Sequence, residues 1–226
     1  MKNLVFLFTI IASSSFAQEL KRTFNVSGFD KLEIGSSFII TVTQGNDYKV
    51  DIRGREQDVK EVMAKVSDNT LDIHYPSNWG GWKNRKEVYV TITMPKLAGV
   101  EFSGASKSNV SGFSSEKLAI EVSGASSATF NVNAKKLLLD CSGASGLKIT
   151  GDGQTLDAEI SGASNINAFD FKVATANIDA SGASDAKIHV TGKINAEASG
   201  ASSVRYKGGA VVTSSTSGAG SVKSMN

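Results

Sequence analysis

A tetrapeptide, Ser-Gly-Ala-Ser, recurs through the second half of the chain and constrains its fold more than any other feature. It begins at Ser103, Ser123, Ser142, Ser161, Ser181 and Ser199, and a weakened copy, Ser-Gly-Ala-Gly, begins at Ser217. Successive copies are 20, 19, 19, 20, 18 and 18 residues apart. A period this short holds two or three brief strands and tight corners, which is one coil of a β-solenoid. Residues that recur with the motif are therefore expected to form columns along the stack.

Aligned on the motif, alternate positions are apolar. The residue before it is Phe102, Val122, Cys141, Ile160, Ala180, Ala198 and finally Thr216. Three before it stand Val100, Ile120, Leu139, Ala158, Ile178, Ala196 and Ser214. After it come Ala128, Leu147, Ile166, Ala186, Val204 and Val222, and two further on Phe130, Ile149, Ala168, Ile188 and Tyr206. A period of two places all of these on one side of a strand, toward the coil interior. Turns are expected next, at Ser111-Gly112, Thr150-Gly151, Thr191-Gly192 and Lys207-Gly208. At the corner itself only small side chains fit at the inter-strand spacing, and the serine hydroxyls can bond one another or backbone freed by the bend. A row of nucleophilic serines is the rival reading. It lacks a base, because the two histidines, His74 and His189, stand at unrelated places.

The fold expected is all-β: a single-stranded parallel β-helix, right-handed, with coils of 18–20 residues, after a non-repeating β-rich part with one short helix. In that first part Leu32, Ile34, Phe38, Ile40 and Val42 alternate as strand, with a bulge or turn at Gly35. Strands are also expected over 48–53, 71–75 and 87–94. Val59, Val62, Met63 and Val66 predict a helix over 56–66.

Residues 1–17 read as a secretory signal peptide, with Lys2, an apolar run from Leu4 to Ala12, and a small-x-small site at Ser15-Phe16-Ala17. The expected organisation is 1–17 signal, 18–98 a β-rich part that caps or pairs with the solenoid, and 99–226 the repeats. The mature chain is expected to be exported to the periplasm, the cell surface or the medium. No later stretch is apolar enough for a membrane span, and no cysteine follows the cleavage site to carry lipid. Cys141, the single cysteine, cannot form an intramolecular disulfide and reads as a small buried hydrophobe. With 24 Lys and Arg against 22 Asp and Glu, charge gives no reason to expect nucleic acid.

Three surface features stand out. Two residues before each motif lies a carboxylate: Glu101, Glu121, Asp140, Glu159, Asp179 and Glu197, with Ser215 ending the series. Such a ladder is arranged as a cation site, calcium being one candidate, or as contact surface for a basic partner. It also serves as a solvated face that blocks edge pairing. The glycine-rich nonapeptide calcium repeat is absent. A second row, Asn109, Thr129, Lys148, Asn167, Lys187, Arg205 and Lys223, turns basic toward its end and suits an anionic polysaccharide or plain solubility. The third is a polar segment over 76–85 holding both tryptophans. There Trp79 and Trp82 suit stacking on sugar rings or anchoring a protein, with Lys83 and Arg85 as polar contacts, unless the rings cover the solenoid end.

Several segments together resemble the putative autotransporter adhesin head domain, or GIN domain, family of secreted bacterial proteins. These are Val26-Ser27-Gly28-Phe29-Asp30-Lys31-Leu32, the Thr43-Gln44-Gly45 turn, the stretch from Val66 to Ile73, Ile92-Thr93-Met94-Pro95-Lys96-Leu97, and the Ser-Gly-Ala-Ser coils. The resemblance implies a β-helical domain, export, and no established catalytic residues. Many relatives carry a lipoprotein cysteine after the signal, which this chain lacks.

Three functions remain in view. The first is an exported, non-catalytic binding module for glycan or an envelope protein. The second is a structural envelope or assembly protein, against which the degenerate last coil argues. The third is a β-helix polysaccharide lyase or hydrolase, for which near-uniform coils leave little room for a cleft-building insertion.

Overall fold

The computed structural model describes residues 19–76 and 85–225. Sixteen strands and one helix follow in chain order: β1 Glu19–Phe24, β2 Lys31–Ile34, β3 Phe38–Gln44, β4 Lys49–Arg55, α1 Glu56–Glu61, β5 Met63–Ser67, β6 Thr70–His74, β7 Val88–Met94 and β8 Gly99–Phe102. Then come β9 Lys107–Val122, β10 Ser127–Cys141, β11 Gly146–Ile160, β12 Asn165–Ala180, β13 Asp185–Ala198, β14 Ser203–Lys207, β15 Val211–Thr216 and β16 Ser221–Ser224.

The repeats build a parallel β-solenoid. From β9 onward each strand pairs in parallel with its counterpart one coil later, and equivalent motif residues are direct neighbours. The inward rows behave as the periodicity requires: Ile120, Leu139, Ala158, Ile178 and Ala196 are buried, as are Val122, Cys141, Ile160, Ala180 and Ala198. Phe102 and Phe130 stack inside with ring centres 6.2 Å apart. Burial raises the Cys141 thiol pKa. In the last coil Val212 is only half-buried, and Ser214 and Thr216 are exposed.

Of the four turns expected, the one at Lys207-Gly208 does end a strand, β14, before β15 begins, while those at Ser111-Gly112, Thr150-Gly151 and Thr191-Gly192 are bends within strands. Strands β9 to β13 run unbroken for 14–16 residues through that region. Gly112 and Gly151 take left-handed φ values of 91° and 125° there, and β9–β10 and β11–β12 shift register nearby. A bulge turns the chain without interrupting its ladder.

The residues without a visible repeat supply coils as well, stacked out of chain order. Strand β2 pairs with both β8 and β6, and β3 pairs with both β9 and β7, all in parallel. The chain thus lays down β2–β3, returns to lay β6–β7 on its outer side, then crosses over to start the repeats. Beyond β6–β7 the direction reverses. Strand β4 is antiparallel to β7 and β5 is antiparallel to β6, with α1 joining them, and β1 lies antiparallel on β4. Val59 and Val62 from this layer are buried in the core.

The predicted helix over 56–66 is too long. It ends at Glu61, Val62 is extended, and 63–67 is strand β5. The four apolar positions fit a helix on paper. However, β6 would be left with a bare edge, and pairing Met63–Ser67 with it satisfies that row of backbone groups. Met63 consequently points outward, 48% exposed.

Candidate functional site

The carboxylate column is continuous and longer than the sequence suggests. Glu101 is opposite Glu121, then follow Asp140, Glu159, Asp179 and Glu197, each in register with the last. The column also runs the other way, from Glu101 to Glu33 on β2 and Asp72 on β6. Eight acids therefore stand in one row, Asp72, Glu33, Glu101, Glu121, Asp140, Glu159, Asp179 and Glu197, ended by Lys65 on one side and Ser215 on the other. Buried neighbours on either side in each strand force them outward. At roughly 4.8 Å between strands, adjacent charges repel by about 1 kcal/mol even in water, less when the side chains splay. Burial, then Glu121 and Glu33, push the Glu101 pKa up.

Glu33 and Asp72 escaped sequence reasoning because their coils lack the tetrapeptide. A fainter signal was available: Leu32-Glu33-Ile34-Gly35-Ser36 repeats the apolar, acidic, apolar, small, small order of Val100-Glu101-Phe102-Ser103-Gly104.

A parallel row lies two residues earlier on the same face. Gly99, Ala119 and Leu138 are succeeded in register by Asp157, Asn177 and Asn195. The Asn195 amide donates to Asn177 at 2.8 Å, and the Asn177 amide donates to Asp157 at 2.7 Å. Lys136 pairs with Asp157 at 2.9 Å. The Asn177 bond, then Lys136, hold the Asp157 pKa below its ordinary value. Between these rows run two shallow grooves, of about 560 and 390 Å³, that meet at Leu138 and Asp140. Together they form an acid-walled trough with a small apolar floor near β8 and an amide ladder near β13. Among the described residues no three His, Cys, Asp or Glu side chains gather into a group able to hold a metal ion; the ladder is a row, not a cluster.

The first-position serines of the Ser-Gly-Ala-Ser motif are half-buried and the fourth-position serines are buried. The fourth-position serines, among them Ser106, Ser126, Ser145 and Ser202, are 1–3% exposed and face inward. Ser106 bonds Ser126 at 3.2 Å, Ser145 donates to the Ser142 carbonyl at 2.6 Å, and Ser202 donates to the Ala180 carbonyl at 2.9 Å. His74 is committed to Asp72, at 2.7 Å.

The polar row near the start of β9 to β14 and in β16 is also in register, from Asn109 through Thr129, Lys148, Asn167, Lys187 and Arg205 to Lys223. Arg205 is paired with Asp185, which reduces its charge toward solvent. Of the aromatic segment, Trp79, Trp82 and Lys83 lie outside the described residues. Arg85 is described: its guanidinium lies over the Tyr75 ring, 3.6 Å from the centre. The segment's return is fastened by buried Asp58, which takes two bonds from Arg55, at 2.8 and 3.0 Å, and one from the Lys86 amide at 3.2 Å.

The model of the putative auto-transporter adhesin, head GIN domain, family matches residues 28–210. A crystal structure of a putative adhesin from Bacteroides fragilis is similar over 92% of this chain and 97% of its own, at 25% identity and a TM-score of 0.87. A putative adhesin from Parabacteroides distasonis is similar at 20% identity and a TM-score of 0.73, over 93% of this chain and 98% of its own. A protein from the same species described as a putative lipid binding protein shares the fold at 17% identity and a TM-score of 0.68, with the same coverage. No curated protein is significantly similar to the chain.

Proposed function

Because the chain belongs to the putative auto-transporter adhesin, head GIN domain, family, we propose that it is an exported, non-catalytic, adhesin-like binding module. The trough is its main contact surface, and its partner there is an extended basic segment of another protein. The aromatic segment, with Trp79, Trp82, Lys83 and Arg85, is the second contact and serves glycan. Export is proposed from residues 1–17 and accords with the family's surface role.

One observation carries the reading. Eight carboxylates are held in register along a continuous groove although their mutual repulsion opposes folding and the core places no demand on those outward positions. A basic segment laid along the trough relieves that repulsion, and its extended backbone matches the length of the row. The non-catalytic part of the reading draws support from the inward burial of the fourth-position serines.

The test is binding of lysine-rich peptides to the purified chain across a salt series, beside a triple variant, Glu121→Gln, Asp140→Asn and Glu159→Gln. Binding that weakens steeply with salt and is lost in the variant supports the reading. Equal binding by parent and variant refutes the trough. Protease shaving of intact source cells, against a lysed control, tests surface display.

A further inference from the structure

Glycine holds the second corner position in every Ser-Gly-Ala-Ser coil, and the coil stacked before it leaves no room for a side chain. A Cβ on Gly124 would lie 2.4 Å from the Gly104 carbonyl oxygen, and one on Gly104 would lie 2.8 Å from the Ser36 amide nitrogen. One coil earlier the same place is taken by Ser36, an equivalence fixed by the Ile34–Phe102 and Ile39–Lys107 pairings. Ser36 keeps the left-handed backbone, φ 96°, while carrying a side chain. The other described non-glycine residues with positive φ, Asp68 and Asn69, form the β5–β6 hairpin turn, where that conformation is ordinary. Gly35 stands next door without taking it. Strain of this kind at a side chain marks a candidate functional position.

Ser36 also borders open space, between the ends of β6 and β7. The space left is a cleft of about 220 Å³ lined by Ser36, Ser37, Tyr75, Arg85, Lys86 and Glu87. Its walls are fixed. Tyr75 is sandwiched between the Arg85 guanidinium and Phe38, whose ring centre is 5.1 Å away. Burial pushes the Tyr75 hydroxyl up to about 12, so it stays a neutral donor. Asp58 holds the Lys86 backbone but is itself neutralised by Arg55, and among the described residues the Lys86 ammonium has no ion-pair partner. Glu87 accepts a bond from the Tyr89 hydroxyl at 2.9 Å.

We propose that this cleft binds a single acidic pyranose, a uronic-acid residue of a glycan. Lys86 and the Arg85 charge take its carboxylate, and Ser36, Ser37, Tyr75 and Glu87 take its ring hydroxyls. A bare inorganic anion needs no acceptor and is repelled by Glu87, whereas a sugar hydroxyl donates to it. The proposal extends the binding-module reading to the corner edge, at a site separate from the trough.

Calorimetric titration of the full chain with galacturonate and glucuronate tests it, with glucose, acetate and phosphate as comparison ligands. Uronate is expected to bind at least about tenfold more tightly than any of these. Ser36→Gly is expected to melt at or above the parent temperature, since glycine adopts this backbone freely, yet to bind uronate about tenfold more weakly. Lys86→Gln is expected to weaken uronate binding while leaving glucose binding unchanged. Unchanged uronate affinity in Ser36→Gly, a lower melting temperature in that variant, or equal binding of acetate or phosphate overturns the proposal. The trough variant is expected to keep uronate binding, so failure of the trough and failure of the cleft read out separately.

Discussion

A Cβ placed on Gly143 would lie 2.5 Å from the carbonyl oxygen of Gly124, one coil away. That same oxygen accepts the amide of Ala144 at 2.8 Å. The corner is therefore closed twice over, by a left-handed φ of 76° and by a backbone contact that the inter-coil ladder cannot release.

Gly143→Val is expected to cost about 3–5 kcal/mol and to lower the melting temperature by about 6–20 °C. Thermal unfolding followed by circular dichroism measures it. Gly146→Ala gives the contrast, since nothing stands within 4 Å of a Cβ there. That change is expected to be nearly silent.

Asp58 sits 2% exposed beneath the return of the aromatic segment, bonded to Arg55 and to the Lys86 amide. Asp58→Ala removes the carboxylate that takes two bonds from the Arg55 guanidinium and takes the Asp58 acceptor away from the Lys86 amide. A loss of about 2–4 kcal/mol is expected in urea unfolding. A loss below about 0.5 kcal/mol would show that the tie contributes nothing to the fold.

Glu101 has its pKa raised by burial and by the neighbouring acids. The folded chain therefore takes up this proton more readily than the unfolded one. The stabilisation that protonation brings is complete below the unfolded pKa and is lost as pH rises through the folded pKa. Glu101→Gln is accordingly expected to melt about 1–3 °C above the parent at neutral pH, the gap closing on acidification. Asp157, held low by Asn177 and Lys136, has the opposite sign: its contribution is present above the unfolded pKa and disappears as pH falls through the folded one.

The triple variant of the ladder, Glu121→Gln, Asp140→Asn and Glu159→Gln, removes mutual repulsion without touching the core. Its melting temperature is expected to exceed the parent's by a few degrees in dilute buffer and to match it in molar salt, where screening acts within about 3 Å. Lower stability in dilute buffer would mean the acids make compensating contacts.

Much of this was written locally. The columns Ile120–Leu139–Ala158 and Val122–Cys141–Ile160 were legible because a solenoid coil contacts only its neighbours, so its period in sequence becomes its period in space. The same logic made Glu101 to Glu197 readable as an outward row. It failed at Glu33 and Asp72, whose coils carry no tetrapeptide, and at Met63–Ser67, where a helical pattern lost to the bare edge of β6.

The sequence by itself determined the repeating coil, its core rows and its acid row, because each depends on residues one period apart. Tertiary structure decided the order of the first coils, with β6–β7 laid outside β2–β3, and the reversed layer of β4 and β5 beyond them. These depend on which strand edges remain unpaired after the repeats have stacked, which no local pattern records. The cleft at Ser36 belongs to the same class. The left-handed backbone of Ser36 is readable only once Ser36 is seen to stand where Gly104 stands one coil later.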